Sequence, residues 1–195
     1  DIKYYRKKIR KIKNNYFVTF GNQQNLSFIF AIAEKLKLKN NKLLKSINNF
    51  KGLSFRQEII NKSKKFTLIN DSKATSFSSS VNILRSLEKV FWIVGGVGKL
   101  GDKFTLNKNE CKNIKVYIFG KNKNFFINQF KNKLIYKCFN NLESAVKQIL
   151  IDIKKNYINL HKTVLFSPSA ASFDSFKNFE ERGDYFNFLL KKYRV

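Results

Sequence analysis

The sequence is poor in the residues that build metal and thiol chemistry. It contains two cysteines, Cys111 and Cys138, and a single histidine, His161. The cysteines show no C-x-x-C spacing and no nearby histidine, so we expect reduced, structural thiols and neither a zinc site nor a disulfide framework. His161 precedes a predicted strand, and no G-x-S-x-G motif surrounds Ser172, which argues against a serine hydrolase. We therefore expect His161 on the surface and no metal ligands in this chain.

Long apolar runs and methionine are missing as well. No stretch approaches 18 consecutive apolar residues, and the basic N-terminus is not followed by an apolar signal core. We therefore expect a cytoplasmic protein with no membrane partner, and we expect it to be a monomer. The sequence has no methionine and does not begin with one, which indicates a fragment of a longer gene product. Its 43% of hydrophobic residues is enough for one full core, or for a domain and part of another.

Acidic residues are scarce. Lysine and arginine number 39 against 13 acids, a net charge of +26. Such a balance is typical of proteins that bind nucleic acid through its phosphates. The lysines, however, are spread along the whole chain among Asn, Ile and Phe, which share A- and T-rich codons. This spread favours codon bias over a binding footprint, so we do not expect a nucleic-acid partner, and a basic nucleic-acid-binding protein is kept as an alternative.

Hydrophobic periodicity predicts alternating strands and helices. A strand is predicted at 16–20, followed by a helix that carries Leu26 to Leu36 and a short helix at 42–49. A connection near Gly52 and Ser54 divides the chain into predicted domains 1–52 and 53–195. The second domain has predicted strands at 66–69, 90–94, 115–119, 134–138 and 163–166, and helices at 76–87, 124–132, 142–153 and 179–192. This alternation predicts an α/β fold with a Rossmann-like, mostly parallel sheet and helices on both faces, preceded by a mainly helical segment.

Polar segments follow three of the predicted strands, where α/β folds bind ligands. They are Asn70 to Thr75, Gly95 to Lys99 and Ser167 to Ser172. Their lysines, hydroxyls and glycine-exposed amides suit phosphate or carboxylate oxygens, so the loops are expected to converge on one ligand. Each has a plainer interpretation, as a helix cap or a tight turn. A Walker loop is excluded, because Ile93 and Leu100 stand where it needs Gly and Ser or Thr.

The residues of these loops resemble the C-terminal domain of the Mur ligases, and among them the ligases that add D-glutamate. The resemblance rests on Asn70-Asp71-Ser72-Lys73-Ala74-Thr75, on Gly95-Gly96 with Lys99 and Asp102, and above all on residues 167–184, SPSAASFDSFKNFEERGD. Residues 21–25 and 50–56 resemble the end of the family's central ATP-binding domain and its hinge. The resemblance thus covers nearly the whole chain. It implies that 1–52 end the central domain and that 53–195 form the D-glutamate-binding domain.

The resemblance implies a reaction in peptidoglycan precursor synthesis, the ATP-dependent ligation of D-glutamate to UDP-N-acetylmuramoyl-L-alanine through an acyl phosphate. On matching positions, Lys73 and Lys99 become the catalytic candidates. The implied D-glutamate-binding residues are Lys73, Thr75, Lys99, Ser172 and Phe179. Arg56 and Asp71 would contact ATP, the latter through ribose hydroxyls. The implied cofactors are ATP and Mg²⁺, and the Mg²⁺ ligands are expected in an N-terminal part that these residues lack.

The sequence also departs from the family pattern. Gln24, Phe55, Ser76 and Ala170 replace expected family residues, and one residue is inserted between Asp102 and Phe104. The family's glycine-rich ATP loop, metal-binding acids and UDP-binding domain have no counterpart here. We therefore expect the isolated chain to be inactive. The alternative is a non-catalytic binding or regulatory module that keeps the Mur ligase C-terminal fold.

Overall fold

The structure, a computed structural model, describes residues 2–64, 66–155 and 161–194. They form two compact units, Asp1–Gly52 and Leu53–Val195, called unit 1 and unit 2 below. Every candidate site residue belongs to unit 2.

Unit 1 is helical in its described residues, with α1 (Ile2–Ile9), α2 (Phe20–Lys35) and α3 (Asn40–Asn49). Helix α2 buries Leu26, Phe30 and Ala33, which recur at helical spacing on one face. Leu26 and Phe30 pack in a small core that also contains Tyr5, Ile9, Phe17 and Ile47.

The strand predicted at 16–20 is wrong. Asn15–Val18 form a 3-10 turn, and α2 begins at Phe20. The Asn14 side chain accepts a hydrogen bond from the Tyr16 amide at 2.9 Å, and the Thr19 hydroxyl accepts one from the Asn22 amide at 3.3 Å. Because these two caps fix the backbone locally, they override the β propensity of the aromatic residues between them.

Unit 2 contains a six-stranded sheet in the order β1-β2-β6-β3-β4-β5. The strands are β1 (Glu58–Lys62), β2 (Phe66–Asn70), β3 (Val90–Gly95), β4 (Ile114–Phe119), β5 (Ile135–Phe139) and β6 (Lys162–Phe166). Strands β2 to β6 pair in parallel, while β1 lies antiparallel to β2 at one edge. The sequence analysis missed β1, because its residues, EIINK, show no apolar alternation and only pairing with β2 defines the strand.

Helices cover both faces of this sheet. They are α4 (Phe77–Leu84), α5 (Lys123–Phe130), α6 (Leu142–Lys155) and α7 (Phe179–Lys192). Successive residues of β3 point to opposite faces: Trp92 lies in a core cluster with α4 and α5, and Ile93 lies in one with α6 and α7. The predicted α/β fold is therefore confirmed. None of the described helices is both long and apolar enough to span a bilayer.

A cluster of charged and polar groups holds α6 on the sheet. Asp152 of α6, whose side chain is 7% exposed, accepts hydrogen bonds from Lys115 and Tyr117 at 2.7 Å each. Lys137 contributes a further contact at 3.2 Å, and the pairing of Tyr117 with Lys137 places these donors side by side on β4 and β5. Burial alone would raise the pKa of Asp152, but the hydrogen bonds outweigh it and hold the pKa well below its usual value. This cluster joins α6 to β4 and β5 and contains none of the predicted site residues.

Candidate functional site

The three polar loops leave the sheet at one edge. Strands β2, β6 and β3 are neighbours in the sheet and run parallel, so their carboxyl ends point the same way. We call the segments after them the β2 loop (residues 71–76), the β6 loop (167–178) and the β3 loop (96–104). The strand order therefore brings the three loops to the same edge of the sheet, as predicted.

The β3 and β6 loops touch through a short backbone bridge. Val97 donates a hydrogen bond to the Ala171 carbonyl at 2.8 Å, and Ala171 donates one to the Val97 carbonyl at 3.0 Å. Gly96 makes this approach possible. Its φ is +124°, and a Cβ there would lie 2.2 Å from the Ala171 oxygen, so a larger residue would separate the loops.

Lys73 and Phe179, both predicted to bind D-glutamate, are in contact. The Lys73 ammonium nitrogen lies 3.8 Å from the centroid of the Phe179 ring, a cation–π arrangement. The Lys73 amide donates to the Phe55 carbonyl at 3.0 Å, which fixes the start of its side chain. Phe179 is the first residue of α7, where the Asn178 side chain caps the helix by accepting from the Glu181 amide at 2.7 Å. The two residues therefore form a defined pair at the loop edge.

Thr75, Lys99 and Ser172 occupy the same three loops with different exposure. Thr75 and Lys99 are exposed, whereas Ser172 is 3% exposed. The Ser172 carbonyl accepts hydrogen bonds from the Ser175 and Phe176 amides at 3.2 and 3.0 Å, so this residue shapes the turn of the β6 loop. Three residues after Lys99, the β3 loop meets the start of α4 through Asp102. The predicted set is brought to one edge, although its members differ in how directly they face solvent.

Asp71 is buried and already bonded. It is 6% exposed; its Oδ1 accepts from the Gln57 amide at 3.1 Å, and its Oδ2 accepts from the Ser167 hydroxyl at 2.8 Å. Burial raises the pKa of Asp71 to about 7, against the opposing effects of both hydrogen bonds and of the Arg56 charge. Asp71 thus ties the segment that carries exposed Arg56 to the end of β6. A ribose contact would use a carboxylate that already has two internal partners.

Sequence reasoning assigned no role to Arg182 or Asp102, although both lie in the quoted motifs. Arg182 in α7 is fully buried, and its guanidinium donates to oxygens of Ser72 and Ala170. The Asp102 carboxylate accepts from the Phe77 amide at 2.7 Å and so caps the start of α4. A rule that looks for ligand-facing charges misses both, because each bonds to the backbone of another segment.

Other parts of the molecule are weaker candidates for a functional site. Unit 1 contains a cavity of about 570 Å³ lined in part by Arg6, Arg10 and Lys13, but none of the predicted site residues lies in that unit. His161 is exposed, as predicted, and its ring contacts the Thr67 hydroxyl at 2.9 Å. Within residues 2–64, 66–155 and 161–194, no group of three His, Cys, Asp or Glu side chains could hold a metal ion. The loop edge is therefore the candidate site.

Curated proteins that resemble the chain include several named UDP-N-acetylmuramoylalanine–D-glutamate ligase. It is 34% identical over 174 residues to the UDP-N-acetylmuramoylalanine–D-glutamate ligase of Wolbachia pipientis wMel, covering 89% of this chain and 34% of that protein. It is 33% identical over 172 residues to the ligase of the same name from Rickettsia prowazekii, covering 88% and 38%. For that of Prochlorococcus marinus strain MIT 9312, identity is 34% over 196 residues, covering 95% and 40%. The chain thus spans little more than a third of the length of these curated relatives.

Solved structures show the same fold at lower identity. MurF from Acinetobacter baumannii superposes with a TM-score of 0.58 at 18% identity, covering 83% of this chain and 37% of that one. The UDP-N-acetylmuramate–alanine ligase MurC from Thermotoga maritima gives 0.58 at 15% identity, covering 90% and 38%. No protein-family model matches the sequence.

Proposed function

Because this chain belongs to the Mur ligase family, we propose that it is the D-glutamate-binding, nucleotide-covering part of a UDP-N-acetylmuramoyl-L-alanine–D-glutamate ligase. The observation that carries the proposal is the contact of Lys73 with Phe179 at the edge where three loops meet. The resemblance implies that these two residues, far apart in sequence, bind one substrate, and the Lys73 nitrogen lies 3.8 Å from the centroid of the Phe179 ring. The identity of 33–34% to ligases of that name supports it as well.

The charges at this edge suit a dicarboxylate. Lys73 and Lys99 would bind the two carboxylates of D-glutamate, and the hydroxyls of Thr75 and Ser172 would donate to the same oxygens. The ring of Phe179 holds the Lys73 ammonium in place from one side. Nearby positive charge also favours the neutral form of the substrate amine, which is the form that attacks an activated carbonyl. In this proposal the two lysines orient the nucleophile.

The nucleotide would meet this chain through Arg56. Its side chain is exposed, and a guanidinium binds phosphate or stacks on a base. We assign Asp71 a supporting part, because its carboxylate holds the Gln57 amide beside Arg56. When bound, ATP supplies the phosphoryl group that activates the carboxylate of UDP-N-acetylmuramoyl-L-alanine. Among the described residues no group of three His, Cys, Asp or Glu side chains could hold Mg²⁺, so in this proposal its ligands do not come from these residues.

Binding of D-glutamate to the purified chain tests the site. We expect amide NMR signals of the three loops to shift on titration with D-glutamate and to respond less to L-glutamate. Lys99→Ala should weaken D-glutamate binding by about tenfold or more, the typical loss for a charge-assisted hydrogen bond. Lys103→Ala is the matched control, since Lys103 is an exposed lysine of the same loop with no assigned role. Equal affinities of Lys99→Ala and the unsubstituted chain would contradict the assigned role.

Two further measurements separate this function from its alternatives. The chain by itself should not hydrolyse ATP, and clear turnover by it would contradict the proposed division of labour. Micromolar binding to DNA at physiological salt, with a steep salt dependence, would instead support the nucleic-acid alternative. Binding of D-glutamate without ligation, in a longer protein that contains this chain and a P-loop, would support the non-catalytic module.

A further inference from the structure

Arg182 connects the three loops from inside the molecule. It is fully buried in the second turn of α7. Its NH2 group donates to the Ser72 carbonyl at 2.7 Å and its Nε donates to the Ser72 hydroxyl at 3.1 Å, both in the β2 loop. Its NH1 group donates to the Ala170 carbonyl of the β6 loop at 2.9 Å and, at 3.5 Å, to the Gly95 carbonyl where the β3 loop begins.

The partners of this guanidinium are unusual for a buried charge. All of them are neutral oxygens, and no carboxylate of the described chain lies within ion-pair distance of it. Burial lowers the pKa of Arg182 to about 10, against the opposing effect of the Asp174 charge, and this still leaves the guanidinium charged at neutral pH. Replacing a buried charged side chain by an apolar one of similar volume often leaves the protein equally stable or makes it more stable. The contacts therefore indicate that Arg182 serves to fix the relative positions of the segments that it bonds.

Each acceptor stands close to a residue of the proposed D-glutamate site. Ser72 precedes Lys73, Ala170 comes two residues before Ser172, and Gly95 leads into the loop that carries Lys99. The Ser72 hydroxyl also donates to the Phe179 carbonyl at 2.8 Å, so the Lys73–Phe179 pair is joined to the same centre. Only the planar fork of a guanidinium supplies donors in these directions, because a lysine ammonium is a single point of charge.

We propose that Arg182 is a positioning residue which sets the spacing of the β2, β3 and β6 loops and thereby the geometry of the D-glutamate site. The link to D-glutamate rests on the function proposed above. The link to loop spacing rests on the contacts alone. Arg182 touches no substrate in this proposal; it acts through the carbonyls that it holds.

Arg182→Lys is the decisive variant, because it keeps the charge and removes the fork. We expect it to weaken D-glutamate binding at least about tenfold, since small misplacements of binding groups are costly. The control is Tyr117→Phe, which removes one buried hydrogen bond to Asp152 of α6 in the same unit and none of the contacts of Arg182. Urea unfolding, followed by Trp92 fluorescence, gives the stability of both. A loss of affinity in Arg182→Lys but not in Tyr117→Phe, at comparable stability, supports the positioning role.

Hydrogen exchange tests the loops without substrate. The Lys73 amide donates to the Phe55 carbonyl, and the amides of Val97 and Ala171 donate to each other's carbonyls, so the three amides report on all three loops. In Arg182→Lys their exchange should rise together while that of β4 stays unchanged. A uniform rise across unit 2, or unchanged D-glutamate affinity, would overturn the proposal. If the unsubstituted chain binds no D-glutamate, the proposed function fails and this exchange pattern still decides the role of Arg182.

A milder variant covers the case in which Arg182→Lys does not fold. Ser72→Ala removes the hydroxyl that joins Arg182 to the Phe179 carbonyl and leaves the guanidinium in place. It should raise exchange at Lys73 and weaken D-glutamate binding a few-fold, in keeping with the loss of one hydrogen-bonding group. Exchange and affinity equal to those of the unsubstituted chain would count against the proposal.

Discussion

At the residue scale, Asp71 combines burial with two internal hydrogen bonds. The resemblance assigned its carboxylate to a ribose, whereas both oxygens accept hydrogen bonds from within unit 2. Because its pKa is about 7, Asp71 stays protonated in the folded state at acidic pH values at which an unfolded Asp is already ionised. The same residue therefore carries a measurable dependence of stability on pH.

We predict that Asp71→Asn flattens this dependence. An unfolded Asp titrates near 4 and the folded one near 7, so between these values the folded state binds the extra proton. The free energy of unfolding of the unsubstituted chain should therefore fall as pH rises from 5 to 7, relative to Asp71→Asn, and then level off. The relative slope approaches about 1.4 kcal/mol per pH unit when the difference is one proton. Urea unfolding at several pH values, followed by Trp92 fluorescence, measures it.

Asp184→Asn is the control, since Asp184 is exposed on α7. It should leave the pH dependence as in the unsubstituted chain. Parallel pH profiles for Asp71→Asn and the unsubstituted chain would show that the folded carboxyl titrates near its ordinary value.

Helix α7 illustrates the element scale. Its predicted limits, 179–192, agree with the structure because a cap, an acidic first turn and a basic last turn mark its ends. Its inner face is defined by aromatic packing: Phe186 is fully buried and stacks on Phe166 of β6, with ring centroids 4.4 Å apart. Phe188, two residues later, is 54% exposed.

We predict that Phe186→Ala lowers the free energy of unfolding of unit 2 by about 3–5 kcal/mol, because it leaves a cavity against the sheet. Phe188→Ala is the matched control on the same helix and should change stability by less than about 0.5 kcal/mol. Urea unfolding monitored by Trp92 fluorescence measures both, since this tryptophan lies in the core of unit 2. Similar losses in the two variants would mean that α7 presents another face to the sheet.

At the scale of the whole molecule, the main feature is the excess of positive charge. Even if every acid paired with one base, 26 of the 39 basic residues would be left without an acidic partner. Residues 1–52 carry 13 of the basic residues and 2 of the acids, and the remainder carry 26 and 11, so both units are basic. Self-repulsion of this kind destabilises a compact state.

We predict that salt stabilises the protein. Raising NaCl from 10 to 150 mM shortens the Debye length from about 30 to about 8 Å, which screens repulsion between exposed lysines. The melting temperature, measured by circular dichroism, should therefore rise over this range. Sodium phosphate at matched ionic strength is the control for binding of a specific anion. A melting temperature that stays constant or falls with NaCl would show that the lysines do not repel one another appreciably.

The sequence alone determined the parallel sheet, its helices and the three loops at its edge. The strand at 90–94 was readable because all its residues are apolar, and α6 because Leu142, Ala145, Val146 and Ile149 recur on one face. These patterns are local in sequence. They require only that the apolar residues are buried, whichever apolar segment covers them. The motifs of the three loops carried the resemblance to the Mur ligases, which the 33–34% identity confirms.

The tertiary structure decided what depends on partners distant in sequence. Strand β1 exists through its pairing with β2, and the turn at Asn15–Val18 replaces a strand because caps and core contacts outweigh β propensity. The internal hydrogen bonds of Asp71, which was predicted to contact ATP, could not be read from the sequence, and Arg182 received no role although it joins three loops. A side chain's residue type fixes what it can bond. The order of the strands in the sheet then decides which oxygens come within 3 Å of that side chain.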